Sequence, residues 1–209
     1  SIPEPNALAI KTPLDTILHT GDWKIDPDPQ IGSATDVKGL TALGDEGVLA
    51  MVCDSTNVFE EGESGSEESV KQGLIDLIAE QKQAVAVTTF ASNVARVKSI
   101  VEAAESAGRA VCLVGRSMHR ITDAAKSVGI LPPHMEFIDE SEASQIPAEH
   151  ILYLCTGSQG EARAALTRIS RRDHRNVSLH EGDTVIFSSR QIPGNEKGIF
   201  ALQNALAEQ

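Results

Sequence analysis

Short runs that are apolar on both faces, alternating with amphipathic helices, constrain the fold of this chain more than any other feature. Residues 84–89, 110–114, 150–155 and 184–188 are such runs, each about five residues long and rich in Val, Leu, Ile and Thr. Between them, residues 93–107 place Val94, Val97, Ile100, Val101 and Ala104 on one helical face and stop at Gly108. Residues 117–128, ending at Gly129, about 160–170, and 196–207 read as further helices, and 135–138 as one more short strand. Upstream, Ser66 stands where an N-cap belongs, followed by Val70, Leu74, Leu77 and Ile78 at helical spacing. Strands apolar on both faces and separated by helices build a parallel sheet covered on both sides. The expected fold is therefore α/β: a doubly wound, mainly parallel sheet with helices on both faces. Residues 7–12 and 16–20 flank Pro13-Leu14-Asp15 and read as a hairpin. A loop rich in Asp, Pro and Gly covers 26–46, with a short helix over 36–43, and residues 47–53 read as a strand ending on Asp54.

Ligands of such sheets bind at the carboxyl ends of the strands. Four segments fall there: Thr88-Thr89-Phe90-Ala91-Ser92-Asn93, Gly115-Arg116-Ser117, Thr156-Gly157-Ser158-Gln159-Gly160-Glu161 and Ser188-Ser189-Arg190. Each brings hydroxyls, glycines or an arginine to the start of a helix, where unbonded N–H groups and the positive end of the dipole favour an anion. Phosphate binding is one reading of the Thr156 to Gly160 run, and a plain N-cap with a tight turn is the other; the run is neither a Walker A sequence nor a Rossmann fingerprint. Arg116 is either a surface ion-pair partner or an anion contact. Asp22 follows a strand and a glycine, and is either a turn residue or a ligand.

The charge of -12, from 30 acidic and 18 basic side chains, excludes a globally basic nucleic-acid binder. All of it lies early: residues 1–80 carry 16 acidic and 4 basic side chains, and residues 81–209 carry 14 of each. The acidic run from Glu60 to Glu68 reads as a solvated loop followed by the acidic first turn of a helix. Only seven residues are aromatic (five Phe, one Trp, one Tyr), too few for a base-stacking platform. Cys53, Cys112 and Cys155 form no metal-binding pair and read as reduced, buried thiols of a cytoplasmic protein. The six histidines lack the spacing of a self-contained zinc site, and no run is long enough to span a membrane. The start at Ser1, without an initiator Met, suggests an internal piece of a larger protein.

Six motifs stand in order along the chain: Ser1-Ile2-Pro3-Glu4, His19-Thr20-Gly21-Asp22-Trp23-Lys24, Asp54-Ser55-Thr56-Asn57, Thr89-Phe90-Ala91-Ser92-Asn93, Thr156-Gly157-Ser158-Gln159-Gly160-Glu161 and Ile192-Pro193-Gly194-Asn195-Glu196. In that order and at similar spacing they resemble ribonuclease J, a metallo-β-lactamase superfamily member carrying an inserted β-CASP domain. The resemblance implies that residues 1–56 are the C-terminal part of a first metallo-β-lactamase segment, a remnant of an αββα domain, and that residues 57–209 are the β-CASP domain. It implies a parent that hydrolyses RNA phosphodiesters as a 5′-3′ exonuclease, an endonuclease or both, using two divalent metal ions, zinc, manganese or magnesium. Asp22 would be a metal ligand, and Asp54 would orient a histidine absent from this chain. Ser92, Asn93, Arg116, Gly157, Ser158, Ser188 and Ser189 would line a path for single-stranded RNA, touching phosphate and sugar. The family's His-x-His-x-Asp-His cluster and its C-terminal Ser-Gly-His segment are missing, so this piece alone is expected to be inactive and to hold no metal tightly. The family further implies a homodimer or homotetramer. The competing reading is a non-catalytic α/β module that binds a nucleotide or sugar phosphate at its strand ends.

Overall fold

The structure, a computed structural model, describes residues 5–59 and 61–209. The Ser1-Ile2-Pro3-Glu4 motif and Glu60 of the acidic run lie outside the described residues. The chain divides into two compact units, one running up to Val70 and the other covering Lys71–Gln209.

In the first unit, β1 (Leu8–Lys11) and β2 (Thr16–Gly21) pair antiparallel. Their turn is built by Thr12, whose N–H donates to the Asp15 carbonyl (3.0 Å) while its Oγ1 accepts from the Asp15 N–H (3.1 Å). Helix α1 (Val37–Glu46) is capped by Asp36, whose carboxylate accepts from the Gly39 N–H. It forms part of the crossover to β3 (Ala50–Cys53), which lies parallel to β2 with Ile17 opposite Ala50 and Gly21 opposite Cys53. This three-stranded sheet is wet on both faces: Leu8 is 60% exposed, Ile10 47%, Met51 57% and Val52 52%. Among the described residues, no apolar side chain before Leu74 is buried. Cys53 is exposed, against the expectation of a buried thiol, because every residue of β3 is exposed to solvent. Helix α2 (Glu67–Ala79) follows, with Ser66 capping it by accepting from the Ser69 N–H (3.0 Å), as expected.

In the second unit, β4 (Val85–Thr88), β5 (Ala110–Val114), β6 (Ile151–Cys155) and β7 (Thr184–Phe187) form an all-parallel sheet in the order β5-β6-β4-β7. Helices α3 (Val94–Ser106), α4 (Arg116–Ser127), α5 (Glu140–Ala143), α6 (Ala165–Ser170) and α7 (Glu196–Ala207) connect or follow the strands. Successive strand side chains point to opposite faces. Ala86, Cys112, Val114, Tyr153 and Cys155 pack in one cluster with Leu166, Ile169 and Leu202 of α6 and α7. The alternate set, Val85, Val87, Val111, Leu113, Leu152 and Leu154, is equally buried. Burial raises the Cys112 thiol to about 12 and pushes the Cys155 thiol higher still, so both stay protonated and act as small apolar side chains.

Two expected elements differ. Residues 135–138 do not form a strand; only Ile138 reaches the sheet, bridging Cys112 and donating its N–H to the Val111 carbonyl (2.8 Å). The helix expected over about 160–170 begins only at Ala165, because residues 157–160 form a turn with Gly157 and Gly160 both at positive φ. At the amino edge of the sheet Arg109, 5% exposed, donates through one terminal nitrogen to the carbonyls of Gln83 (2.9 Å), Ile151 (3.2 Å) and Ala148 (3.3 Å). Its other terminal nitrogen donates to Gln81 (2.6 Å).

Candidate functional site

Because all four strands of the second unit run the same way, their carboxyl ends share one edge. The loops that leave this edge are tied to each other rather than standing apart. After β4, the Thr89 hydroxyl donates to the Ser188 carbonyl (3.0 Å), and the Thr89 N–H donates to the Cys155 carbonyl (3.3 Å). After β5, Gly115 has φ +116°, and a Cβ there would lie 2.6 Å from Thr156 Oγ1, so only glycine lets the two loops approach. Thr156 Oγ1 in turn accepts from the Ala165 N–H (3.3 Å), at the start of α6.

The expected RNA-contacting residues separate into two depths. Ser92 and Arg116 are exposed, and Ser189 is half-buried. Asn93 is half-buried and caps α3, its carbonyl oxygen accepting from the Arg96 N–H (3.2 Å). Ser188 is 7% exposed and receives an Arg96 N–H on both Oγ (2.9 Å) and its carbonyl (3.0 Å). Ser158 is 2% exposed, and Gly157 is buried beside it. The surface of this edge is thus carried by Ser92, Arg116, Ser189 and Arg190, over a layer of Asn93, Ser158 and Ser188 that shapes the loops.

Two residues of this edge had no role in the sequence reading. Arg96 fastens α3 to the end of β7 through Ser188. Gln159, 6% exposed, reaches from the β6 loop into the segment after β7: its Nε2 donates to the Arg190 carbonyl (2.9 Å) and Ser189 Oγ (3.4 Å). Its Oε1 accepts from the Ile192 N–H (2.8 Å) and from Asn195 Nδ2 (3.4 Å). A long amide between Ser158 and Gly160, in a turn otherwise made of small residues, was the available signal. The partners, some 30 residues away, could not be read from spacing.

The two carboxylates singled out from the sequence lie at matching places in the first unit. Gly21 and Cys53 are opposite each other in the parallel β2-β3 register, so Asp22 and Asp54 are the next residues after neighbouring strand ends. Trp23 Nε1 donates to the Asp54 carbonyl (3.2 Å), tying the two ends together. Asp22 is exposed. The Asp54 carboxylate accepts from the Thr56 hydroxyl (2.5 Å) and N–H (2.9 Å), which hold its titration below the usual carboxylate range. Among the described residues, no three His, Cys, Asp or Glu side chains come together as a metal site. Among the described residues, no helix is long and apolar enough to cross a membrane.

The model of the family described as "Ribonuclease J, beta-CASP domain" matches residues 82–206. Relatives named Ribonuclease J align over essentially all of the chain. The protein of Sinorhizobium meliloti is 52% identical over 209 residues, 100% of this chain and 37% of its own length. That of Corynebacterium glutamicum is 44% identical over 209 residues, 100% of this chain and 29% of its own length. That of Thermus thermophilus is 38% identical over 206 residues, 99% of this chain and 36% of its own length. The chain thus spans between 29% and 37% of the length of these curated relatives. With its parallel α/β sheet and this match, the chain belongs to the ribonuclease J family and carries that family's β-CASP domain.

Proposed function

We propose that this chain is the RNA-gripping part of a metal-dependent ribonuclease, and that it contributes one carboxylate, Asp22, to a metal centre whose other donors lie outside it. The observation that carries the reading is the shared carboxyl edge of the parallel sheet in a chain of ribonuclease J descent. Arg116 opens α4, whose N-terminus has no side-chain cap, and Ser92 lies just before α3; both positions favour a phosphate. With few aromatics, the edge would hold the sugar-phosphate backbone with little preference for sequence. In this proposal Asp54, fixed by Thr56, orients a histidine supplied by the rest of the enzyme. Residues 1–56 are the end of a metallo-β-lactamase segment, and residues 57–209 are the β-CASP domain. Two divalent ions, zinc, manganese or magnesium, would supply the activated water when bound. The parent cuts RNA from the 5′ end, internally or both, assembles as a homodimer or homotetramer and works in the cytoplasm.

The test is a titration of the 209-residue chain against a fluorescein-labelled single-stranded oligoribonucleotide, with zinc or manganese present. Binding that weakens as salt rises is expected, with the oligonucleotide left uncut. Arg116→Ala should lower the slope of log affinity against log salt by about one phosphate contact. No binding at low salt would overturn the RNA reading, and cleavage would overturn the inactivity of the piece.

A further inference from the structure

We propose that Gln159 is a positioning residue for RNA binding, acting through Arg190 by holding the segment that follows β7 in one conformation. The inference rests on the RNA reading above and deepens it. A primary amide offers two N–H donors and one carbonyl acceptor. Gln159 uses both kinds on a single stretch of chain: Nε2 holds the Arg190 carbonyl (2.9 Å) and Ser189 Oγ (3.4 Å), and Oε1 holds the Ile192 N–H (2.8 Å) and Asn195 Nδ2 (3.4 Å). Residues 190–194 are exposed, so little else in the way of burial orders them. The Gln159 side chain itself is buried, where an unmet amide is costly and a met one is rigid.

The turn that carries Gln159 is fixed in its own right. Its N–H donates to Glu161 Oε2 (3.0 Å), and the next residue, Gly160, is packed against the backbone of Gly198 in α7. The β6 loop is therefore a rigid post, and Gln159 is the link from that post to the Arg190 segment. Ordering this segment before RNA arrives removes an entropy cost that a loose segment would meet on binding. The Arg190 guanidinium then meets the RNA backbone from a fixed peptide.

The experiment measures affinity for the same labelled single-stranded oligoribonucleotide in Gln159→Glu, Arg190→Ala and the double variant, with melting temperatures recorded for each. At pH 8 the glutamate is ionised, accepts only, and turns negative charge on the Arg190 carbonyl; affinity should fall about tenfold through loss of the buried donor that holds Arg190. At pH 5.5 the buried carboxyl regains a proton and the donor, so the deficit relative to wild type at that pH should shrink to about threefold or less. The double variant should bind about as weakly as Arg190→Ala alone, since the two residues act in series. A purely structural role gives additive losses in the double variant, and that result would overturn the assignment. Should Gln159→Glu fail to fold, Asn195→Ala takes its place. It removes one bond to Oε1 and should weaken binding about threefold in wild type but not in Arg190→Ala; equal losses in both backgrounds would overturn the assignment. If wild type itself has no affinity for RNA, the parent reading falls with it. If wild type binds and both Gln159→Glu and Asn195→Ala bind equally well, only the role of Gln159 falls.

Discussion

Gly160 has room for a hydrogen atom and nothing larger. Its φ is +73°, and a Cβ would lie 2.4 Å from the Gly198 carbonyl carbon and 2.9 Å from the Ile199 nitrogen, all backbone atoms that cannot swing aside. Gly160→Ala should therefore destabilise the second unit by about 2 kcal/mol or more, through both the left-handed backbone and the collision. Urea unfolding followed by circular dichroism measures it, and a loss below half that value would show that α7 can back away. Part of this was open to the sequence, where glycines at 157 and 160 marked a tight turn. The need for Gly198 opposite it was not, because the two positions are 38 residues apart and no periodicity links them. The same holds for Arg109: an arginine before an apolar strand looks solvated, yet four carbonyls brought in by the chain ends of β4 and β6 surround it.

Elements whose character is set by local pattern were legible, and those set by distant partners were not. The strands at 85–88, 110–114, 151–155 and 184–187 and the long helices follow directly from apolar period and caps. Residues 135–138 have the same apolar look but sit past the end of α4, with only Ile138 in register with β5, so a single bridge forms where a strand was expected. The start of α2 also depends on a distant partner, Asp26, whose Oδ2 accepts from the Glu67 N–H (2.9 Å) beside the Ser66 cap. Burial pushes the Asp26 carboxyl up, but the N–H groups of Glu67 and Asp28 and the Lys24 ammonium more than offset it and hold the group below its ordinary range. A depressed folded pKa stabilises fully above the unfolded value, about 3.9, and that contribution is lost as pH falls through the folded value. Asp26→Ala should therefore cost about 1 kcal/mol at pH 7, with Glu67 amide exchange about fivefold faster, and less at pH 2. Exchange that differs equally at both pH values would mean that the carboxylate charge is not what caps α2.

At the scale of the whole molecule, the two units differ in what holds them. The second has a continuous apolar core on both faces of its sheet, whereas the described residues before Leu74 bury no apolar side chain at all. Local stability follows buried apolar contact. Limited digestion with trypsin should therefore cut first at Lys11, Lys24 or Lys38 and leave a resistant product beginning at Gly39, read by mass spectrometry, because the next basic residue, Lys71, lies within α2 and pairs with Glu102 (2.7 Å). Early cuts between β4 and α7 would contradict this. The strand order has a consequence in time as well as in space. Strand β4 occupies an interior position of the sheet, yet both of its neighbours, β6 and β7, come later in the chain, the nearer starting at Ile151. On a ribosome adding roughly 5 to 20 residues each second, the apolar Val85–Thr88 strand waits on the order of 3 to 13 seconds before β6 even exists to pair with it. During that interval neither of its sheet partners is there to cover it. The pace of synthesis across residues 88–151 thus sets how long this apolar strand stays without its sheet partners.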